Sequence, residues 1–268
     1  MFEFFINDVV IFHRRNKMKR QQNVFHRHLH LEHEFLFVKE GSLTLHIETK
    51  NRVMKAGDLV IIPAGLFHYA VIAENTNYYD RFVINFPNDI IPEYLAKKIN
   101  KEEIVCRNID DCLNSLELLE TYYQKYNPEE FYILAKGILN KLLIQAFNED
   151  KKDFSESNNT LTKILKYIDH NIEIDITLDD LCKKFHYSKS HINNLFKEQM
   201  KCTPMKYIRQ KKIMYAHHLI LSGERKNIAA KKAGFSDYST FFRSYKDIAK
   251  IPTSSIELAE PSEKNKDF

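Results

Sequence analysis

The chain has 268 residues, 44% hydrophobic and 28% charged, a globular mix that excludes wholesale disorder and leaves room for two domains. No run of eighteen apolar residues occurs, so no spanning helix and no membrane partner are expected. Cys106, Cys112, Cys182 and Cys202 form no CxxC pair, and Met1–Phe12 carries Glu3 and Asp8 with no basic leader, so reduced thiols in a cytoplasmic protein are expected.

The net charge of +4 is unevenly spread. Residues 1–158 carry 20 Lys+Arg against 23 Asp+Glu, residues 159–252 carry 18 against 9, and the last sixteen carry 2 against 4. A basic half joined to a mildly acidic one suggests that one part meets a polyanion and the other does not. The basic run from Arg14 to Arg20 reads as a solvated loop, with a flexible arm reaching DNA as the alternative.

Residues 1–85 read as short strands: Phe35–Val38, Leu43–Ile47, Leu59–Ile62 and Arg81–Ile84, rich in β-formers. Turn residues separate them, among them Gly41-Ser42, Lys50-Asn51, Ala56-Gly57-Asp58, Pro63-Ala64-Gly65 and Glu74-Asn75. Strands at this spacing suggest a sandwich or barrel. From Pro92 the pattern turns helical. Leu113, Leu116, Leu119 and Tyr123 form one stripe, and Leu134 to Ala146 form another after Pro128, which suits a helix start. The second stripe reads either as core packing or as a dimer contact. The polar segment from Asp150 to Asn159 reads as a linker.

Residues 160–252 read as helical throughout and contain a duplication at an offset of about 49 residues. In the first unit a helix begins after Thr177, turns at Tyr187-Ser188, and yields to a second helix capped by Ser188. Ile192, Leu195 and Phe196 form the buried stripe of that second helix. Lys189, Ser190, Asn193, Asn194 and Lys197 are left for DNA, since Asn pairs bidentately with adenine and Lys meets phosphate. In the second unit Gly234-Phe235 supplies the turn, Ser236 or Asp237 the cap, and Phe241, Phe242 and Tyr245 the inner face. Tyr238, Ser239, Thr240, Arg243 and Lys246 are the corresponding DNA-facing set. A long helix, from about Met205 to Leu221, separates the units. At 1.5 Å per residue it spans about 25 Å, a spacer suited to two readers one DNA turn apart.

With these residues in view, positions 160–252 resemble the AraC family of bacterial transcription regulators. The likeness rests on Leu181-Cys182, Tyr187-Ser188, Ile192, Leu195-Phe196-Lys197, Thr203-Pro204, Tyr207-Ile208, Ala216, Gly234-Phe235, Asp237, Ser239, Phe241-Phe242-Arg243 and Lys246. Ala229 departs from the larger aliphatic residue usual there. In the strand half, His28-x-His30-xxx-Glu34-x6-Gly41 and Gly57-x5-Pro63-x-Gly65-xx-His68 resemble the two cupin motifs, although Ile72 stands where an Asn is usual. His28 and His30 share a face if extended, with Glu34 at the same parity.

The resemblance implies an α+β chain: residues 1–150 a cupin-like barrel with following helices for effector binding and dimerisation, 151–159 a linker, 160–257 a double helix-turn-helix domain, and 258–268 a polar tail. It implies a regulator binding promoter DNA as a homodimer, with RNA polymerase a further partner if the protein activates. A small-molecule effector would touch His28, His30, Glu34 and His68. No catalytic residue, resident metal or cofactor is expected. The competing readings are a metal-dependent cupin enzyme with an appended helical domain, since three imidazoles and a carboxylate suit Fe, Mn, Ni or Zn, and a regulator without an effector. The six glycines include no GxGxxG or P-loop run, which argues against a nucleotide site.

Overall fold

The computed structural model describes residues 2–6, 9–17, 28–73, 76, 78–99, 104–107, 111–149 and 159–249. The Glu74-Asn75 turn, the side chains of the Arg14–Arg20 run, residues 150–158 of the linker and the tail lie outside the described residues. The strands are β1 (Phe2–Ile6), β2 (Val9–Lys17), β3 (His33–Glu40), β4 (Ser42–Ile47), β5 (Lys50–Lys55), β6 (Asp58–Ile62), β7 (His68–Ile72), β8 (Tyr78–Phe86) and β9 (Ile104–Arg107). Helix α1 (Glu93–Ile99) precedes β9, and α2 (Cys112–Lys125) and α3 (Pro128–Asn148) follow it.

The expected closed barrel is not formed among the described residues. The strands make a six-stranded antiparallel sheet, in the order β1-β2-β8-β3-β6-β9, and a three-stranded one, β5-β4-β7. Gly41, at φ +90°, turns the chain out of β3 so that β4 enters the other sheet instead of pairing with its predecessor. A Cβ there would meet the Tyr78 carbonyl oxygen at 2.5 Å, so the close approach needs glycine. Large aliphatic side chains fill the gap between the sheets, and such a layer holds two sheets about 10 Å apart, too far for edge strands to hydrogen-bond. The sandwich half of the expectation therefore holds and closure does not. Three local readings also change: residues 14–17 of the basic run lie in β2, paired with β8, and not in a loop, Lys50-Asn51 opens β5, and β9 interrupts the helical region after Pro92.

Alternation along β3 sets the layers. Leu36 and Val38 face the smaller sheet, with Leu43, Leu45, Ile47, Met54, Val60, Ile62, Ala70 and Ile72. Phe35 and Phe37 face the other way, with Leu59, Ile61, Phe82, Ile84 and Phe86, and are covered by α1, α2 and α3. Both faces of β3 are buried, which is why it reads as a near-continuous apolar run. Helix α3 starts where Pro128 predicts. The Asn127 side chain accepts from the Glu129 and Glu130 N–H groups at 3.0 Å, and Glu130 accepts from the Asn127 N–H. Leu139, Leu142, Leu143 and Ala146 are buried in the core, so most of the Leu134–Ala146 stripe is core packing.

The second half comprises α4 (Thr160–His170), α5 (Leu178–Phe185), α6 (Lys189–Met200), α7 (Pro204–Leu221), α8 (Lys226–Lys232) and α9 (Tyr238–Ala249). Two cores flank α7. One gathers Leu161, Ile164, Ile168, Leu181, Ile192, Phe196, Tyr207 and Ile208. The other is small: Ala216, Ala229, Ala230, Ala233 and Phe241. Ala229 is fully buried there, so the short side chain at that position lets α8 lie close to α7.

Candidate functional site

Local chemistry places the two helix-turn-helix units as the sequence suggests. Thr177 and Asp180 form a reciprocal cap at the start of α5, and His186 ends it in the left-handed region at φ +59°. Ser188 then accepts from the His191 N–H and opens α6. In the second unit Asp237 Oδ1 accepts from the Thr240 N–H at 2.7 Å, which selects Asp237 over Ser236 as the cap of α9. Lys189, Ser190, Asn194 and Lys197 are exposed on α6, clear of the buried Ile192 and Phe196. Asn193 is half-buried, and its Nδ2 donates to the Lys189 carbonyl at 2.9 Å. Lys189 itself lies 2.8 Å from Asp179, an exposed pair that water screens. On α9, Ser239 and Arg243 are exposed, while Thr240 and Lys246 are half-buried. Tyr238 is also half-buried, its ring against Phe241 and Phe242, so it serves the small core more than the surface.

The strand half brings His28, His30, Glu34 and His68 together. One potential ligand atom from each lies within 4.8 Å of all the others. Glu34 ends the row of β3 side chains that faces the smaller sheet, and His68 begins β7 in that sheet, so the cluster bridges the two layers at one end. The 29–32 segment is not regular strand. His28 is held instead by a bridge to His68, its N–H donating to the His68 carbonyl at 3.1 Å and its carbonyl accepting from the His68 N–H at 3.0 Å.

The ring nitrogens are already sorted. His30 Nδ1 faces the Glu32 carbonyl at 2.7 Å and His68 Nδ1 faces the Leu66 carbonyl at 2.9 Å, so each donates its Nδ1–H outward and turns Nε2 toward Glu34. His30 Nε2 lies 3.1 Å from Glu34 Oε2. His68 Nε2 lies 3.4 Å from the same oxygen, an ion-pair separation without hydrogen-bond geometry. Burial opposes a charge on His30, but the Glu34 carboxylate outweighs it and raises the imidazole pKa. Burial likewise opposes the Glu34 charge, and His68 and His30 more than offset it, holding the carboxyl well below its usual range. His33 points the other way. Its Nε2 donates to Asn88 at 2.8 Å and its Nδ1 accepts from the Ala64 N–H at 3.0 Å, so it pins the Pro63–Gly65 turn. Burial lowers its pKa and keeps it neutral for that task.

The cluster lies against the helical half. Leu29 and Phe67 belong to the same core as α4–α7, and Phe67 stacks on Tyr207 with ring centroids 5.1 Å apart. Glu48, in the turn after β4, accepts from the Phe67 N–H and the Tyr207 hydroxyl and pairs with Lys211 at 3.3 Å. Thr162 donates to Thr49 at 3.0 Å. Burial first and Glu32 second push the Tyr245 phenol up to about 12. Sequence reasoning missed Leu29, Glu48, Phe67 and Lys211. Their one signal is that two large apolar residues sit directly beside motif histidines.

Two family models match the chain: a helix-turn-helix domain over residues 181–256 and a cupin domain over residues 17–77. Among curated relatives, the raffinose operon transcriptional regulatory protein RafR of Pediococcus pentosaceus is 24% identical over 204 residues, covering 72% of this chain and 73% of RafR. The multiple antibiotic resistance protein MarA of Escherichia coli K12 is 30% identical over 94 residues, covering 35% of this chain and 74% of MarA. Among solved structures, ToxT of Vibrio cholerae matches with a TM-score of 0.41 at 15% identity, over 94% of this chain and 98% of that one.

Proposed function

This chain belongs to the AraC family of DNA-binding transcription regulators, and from that premise we propose that a small-molecule effector bound at His28, His30, Glu34 and His68 controls its hold on promoter DNA. One observation carries the reading. The four side chains converge, with ligand atoms within 4.8 Å, directly beside residues that share a core with the helix-turn-helix half. A ligand can alter DNA binding only through differential contact with two arrangements of the chain, and a cluster beside the shared core stands where such contact can arise. Lys189, Ser190, Asn193, Asn194 and Lys197 on α6, with Ser239, Thr240, Arg243 and Lys246 on α9, are the proposed DNA contacts, and Tyr238 supports them from the core. We take residues 1–150, 151–159, 160–257 and 258–268 as the working domain limits.

The protein acts, on this reading, as a cytoplasmic homodimer and not as an enzyme, with RNA polymerase a partner if it activates. No helix among the described residues is long and apolar enough to cross a membrane. The dimer reading is supported by α3. Its side away from the core carries Ile133 and Ile144, 69% and 48% exposed, with Gly137 between them and open space where a Cβ would stand.

A specific observation favours a second reading, a divalent transition-metal ion in the cluster in place of an organic effector. Both Nδ1–H groups are spent on backbone carbonyls, the arrangement that orients ligating histidines, and two Nε2 atoms face one carboxylate. Three imidazoles and a carboxylate fit Zn, Fe, Mn or Ni, and such an ion would supply a Lewis-acid centre in that position.

The deciding experiment measures binding of the full-length protein to DNA upstream of its own coding sequence, with and without cell extract, alongside metal analysis of protein purified without chelators. His28→Ala/His30→Ala is expected to abolish the response to extract while leaving basal DNA affinity within about threefold. One tightly held metal per chain together with unchanged regulation in that variant would favour the enzyme reading instead.

A further inference from the structure

Cluster and helical half meet on two short segments, and each segment shows one residue to each side. His28 joins the cluster and its neighbour Leu29 is buried in the core of α4–α7. His68 joins the cluster and its neighbour Phe67 is buried in that same core. Adjacent side chains of an extended chain point to opposite faces, so a shift of the histidines carries Leu29 and Phe67 with it. The two segments also move together, because His28 and His68 exchange backbone hydrogen bonds of 3.1 and 3.0 Å.

From Phe67 the contacts lead to the recognition helix. The Phe67 ring stacks on Tyr207 of α7 at 5.1 Å and 25°, and Tyr207 meets Phe196 of α6 edge-on at 5.8 Å. Phe67 is 3% exposed, and Tyr207 and Phe196 are fully buried. Phe196 lies on the inner face of the helix whose outer face carries Asn194 and Lys197. Close-packed interiors pass displacement on instead of absorbing it. The polar rim reinforces the path: Glu48 accepts from both the Phe67 N–H and the Tyr207 hydroxyl.

Resting on the reading of the cluster as the effector site, we propose that Phe67, Tyr207 and Phe196 form the link by which occupancy of the cluster is transmitted to α6. A ligand that draws His28, His30 and His68 together around Glu34 repositions Phe67, and the Tyr207 ring hands that change to Phe196. The link requires two packings of these rings, one for the occupied cluster and one for the free, which makes it a two-state element biased from both ends.

The test uses the full-length chain and Zn²⁺ alone as the probe. Zn²⁺ is titrated by equilibrium dialysis, and amide hydrogen exchange is followed in α6 and α7 with and without the ion. In the parent protein Zn²⁺ is expected to slow exchange in α6 by about fivefold or more, the lower end of ordinary coupling. Phe67→Leu keeps an apolar residue but loses the ring stack. It is expected to bind Zn²⁺ within about twofold of the parent while the effect on α6 falls below about twofold. Tyr207→Phe keeps the stack and is expected to retain the effect, which separates transmission from simple loss of packing. Zn²⁺ bound by the parent with α6 exchange unchanged overturns the link and leaves the site reading standing. If Zn²⁺ does not bind, the metal reading fails by itself, and His28→Ala/His68→Ala decides the link. Exchange in α6 altered beyond that of Met54→Ala, a control in the inter-sheet core, supports it, and exchange matching the control overturns it.

Discussion

Lys211 of α7 lies 3.3 Å from Glu48 in the turn after β4, and 3.3 Å from Asp169 of α4, with its side chain only 11% exposed. Burial would strip its charge, but the two carboxylates outweigh burial and raise its pKa, so the ammonium is held between the strand half and the helical half. Lys211→Met is expected to cost about 3 kcal/mol in urea unfolding of the full chain, because it removes the cation that neutralises a largely buried Glu48. Glu48→Gln is expected to cost less, since Asp169 still pairs with Lys211. Equal losses would show that the Lys211–Asp169 contact adds nothing to the Glu48–Lys211 pair.

Base reading is expected to rest on Asn194 more than on Asn193. The Asn193 amide is occupied by the Lys189 carbonyl, whereas Asn194 is exposed. Asn194→Ala is expected to narrow the gap between operator and random DNA by about 1–3 kcal/mol, and Asn193→Ala by less. Competition binding with both duplexes at one fixed salt concentration measures this.

Lys197→Ala is expected to weaken all sequences alike and to lower the slope of log K against log salt by about 1, as removal of one phosphate contact does. A slope identical to the parent's places Lys197 off the DNA.

The second helix-turn-helix unit is expected to lose stability in mild acid. His217 Nδ1 and the Tyr245 hydroxyl share a hydrogen bond of 2.6 Å, and burial lowers the imidazole pKa to about 4. The unfolded chain protonates this residue near pH 6.5, the folded one only near 4. Stability is therefore full above about pH 6.5 and is lost as pH falls toward 4, by an amount on the order of 2–3 kcal/mol. Hydrogen exchange in α9 between pH 7 and pH 4.5, corrected for intrinsic rates, is expected to show the loss, and His217→Phe to flatten it.

Two glycines are expected to differ in their tolerance of alanine. Both Gly41 and Gly234 have positive φ, at a cost of about 1–2 kcal/mol for any L side chain. At Gly234 the new Cβ meets the Lys212 ammonium, a flexible end that can swing away. At Gly41 it meets the backbone carbonyl of Tyr78, which cannot. Thermal unfolding is expected to show the larger loss for Gly41→Ala.

Local signals in the chain determined most of the elements and their order. Helix caps at Asn127, Thr177, Ser188 and Thr203 are written in one or two neighbouring residues, so the helices they open are legible without a fold. The duplicated unit was legible for the same reason, since each copy repeats its own turn and inner aromatic stripe. The histidine cluster was legible as spacing, because parity along β3 aims Glu34 at the inter-sheet face. Strands β5 and β7 escaped notice because their outer faces are polar or half-exposed, which dilutes the β signal.

What only the tertiary structure decided depends on residues far apart in sequence. Whether the strands close into a barrel turns on the separation of two sheets, which inner side-chain volume sets and no local pattern encodes. The assignment of His30 and His68 as outward donors at Nδ1 depends on carbonyls of an irregular segment and a turn. The contact of Phe67 with Tyr207 spans 140 positions, and the Glu48–Lys211 pair spans 163. A residue's neighbours along the chain are fixed by covalent bonds, but its partners across a core are chosen by the packing of whole elements. For that reason the histidine cluster and the helix-turn-helix units could be read from the sequence, while the contacts between them emerged only in the fold.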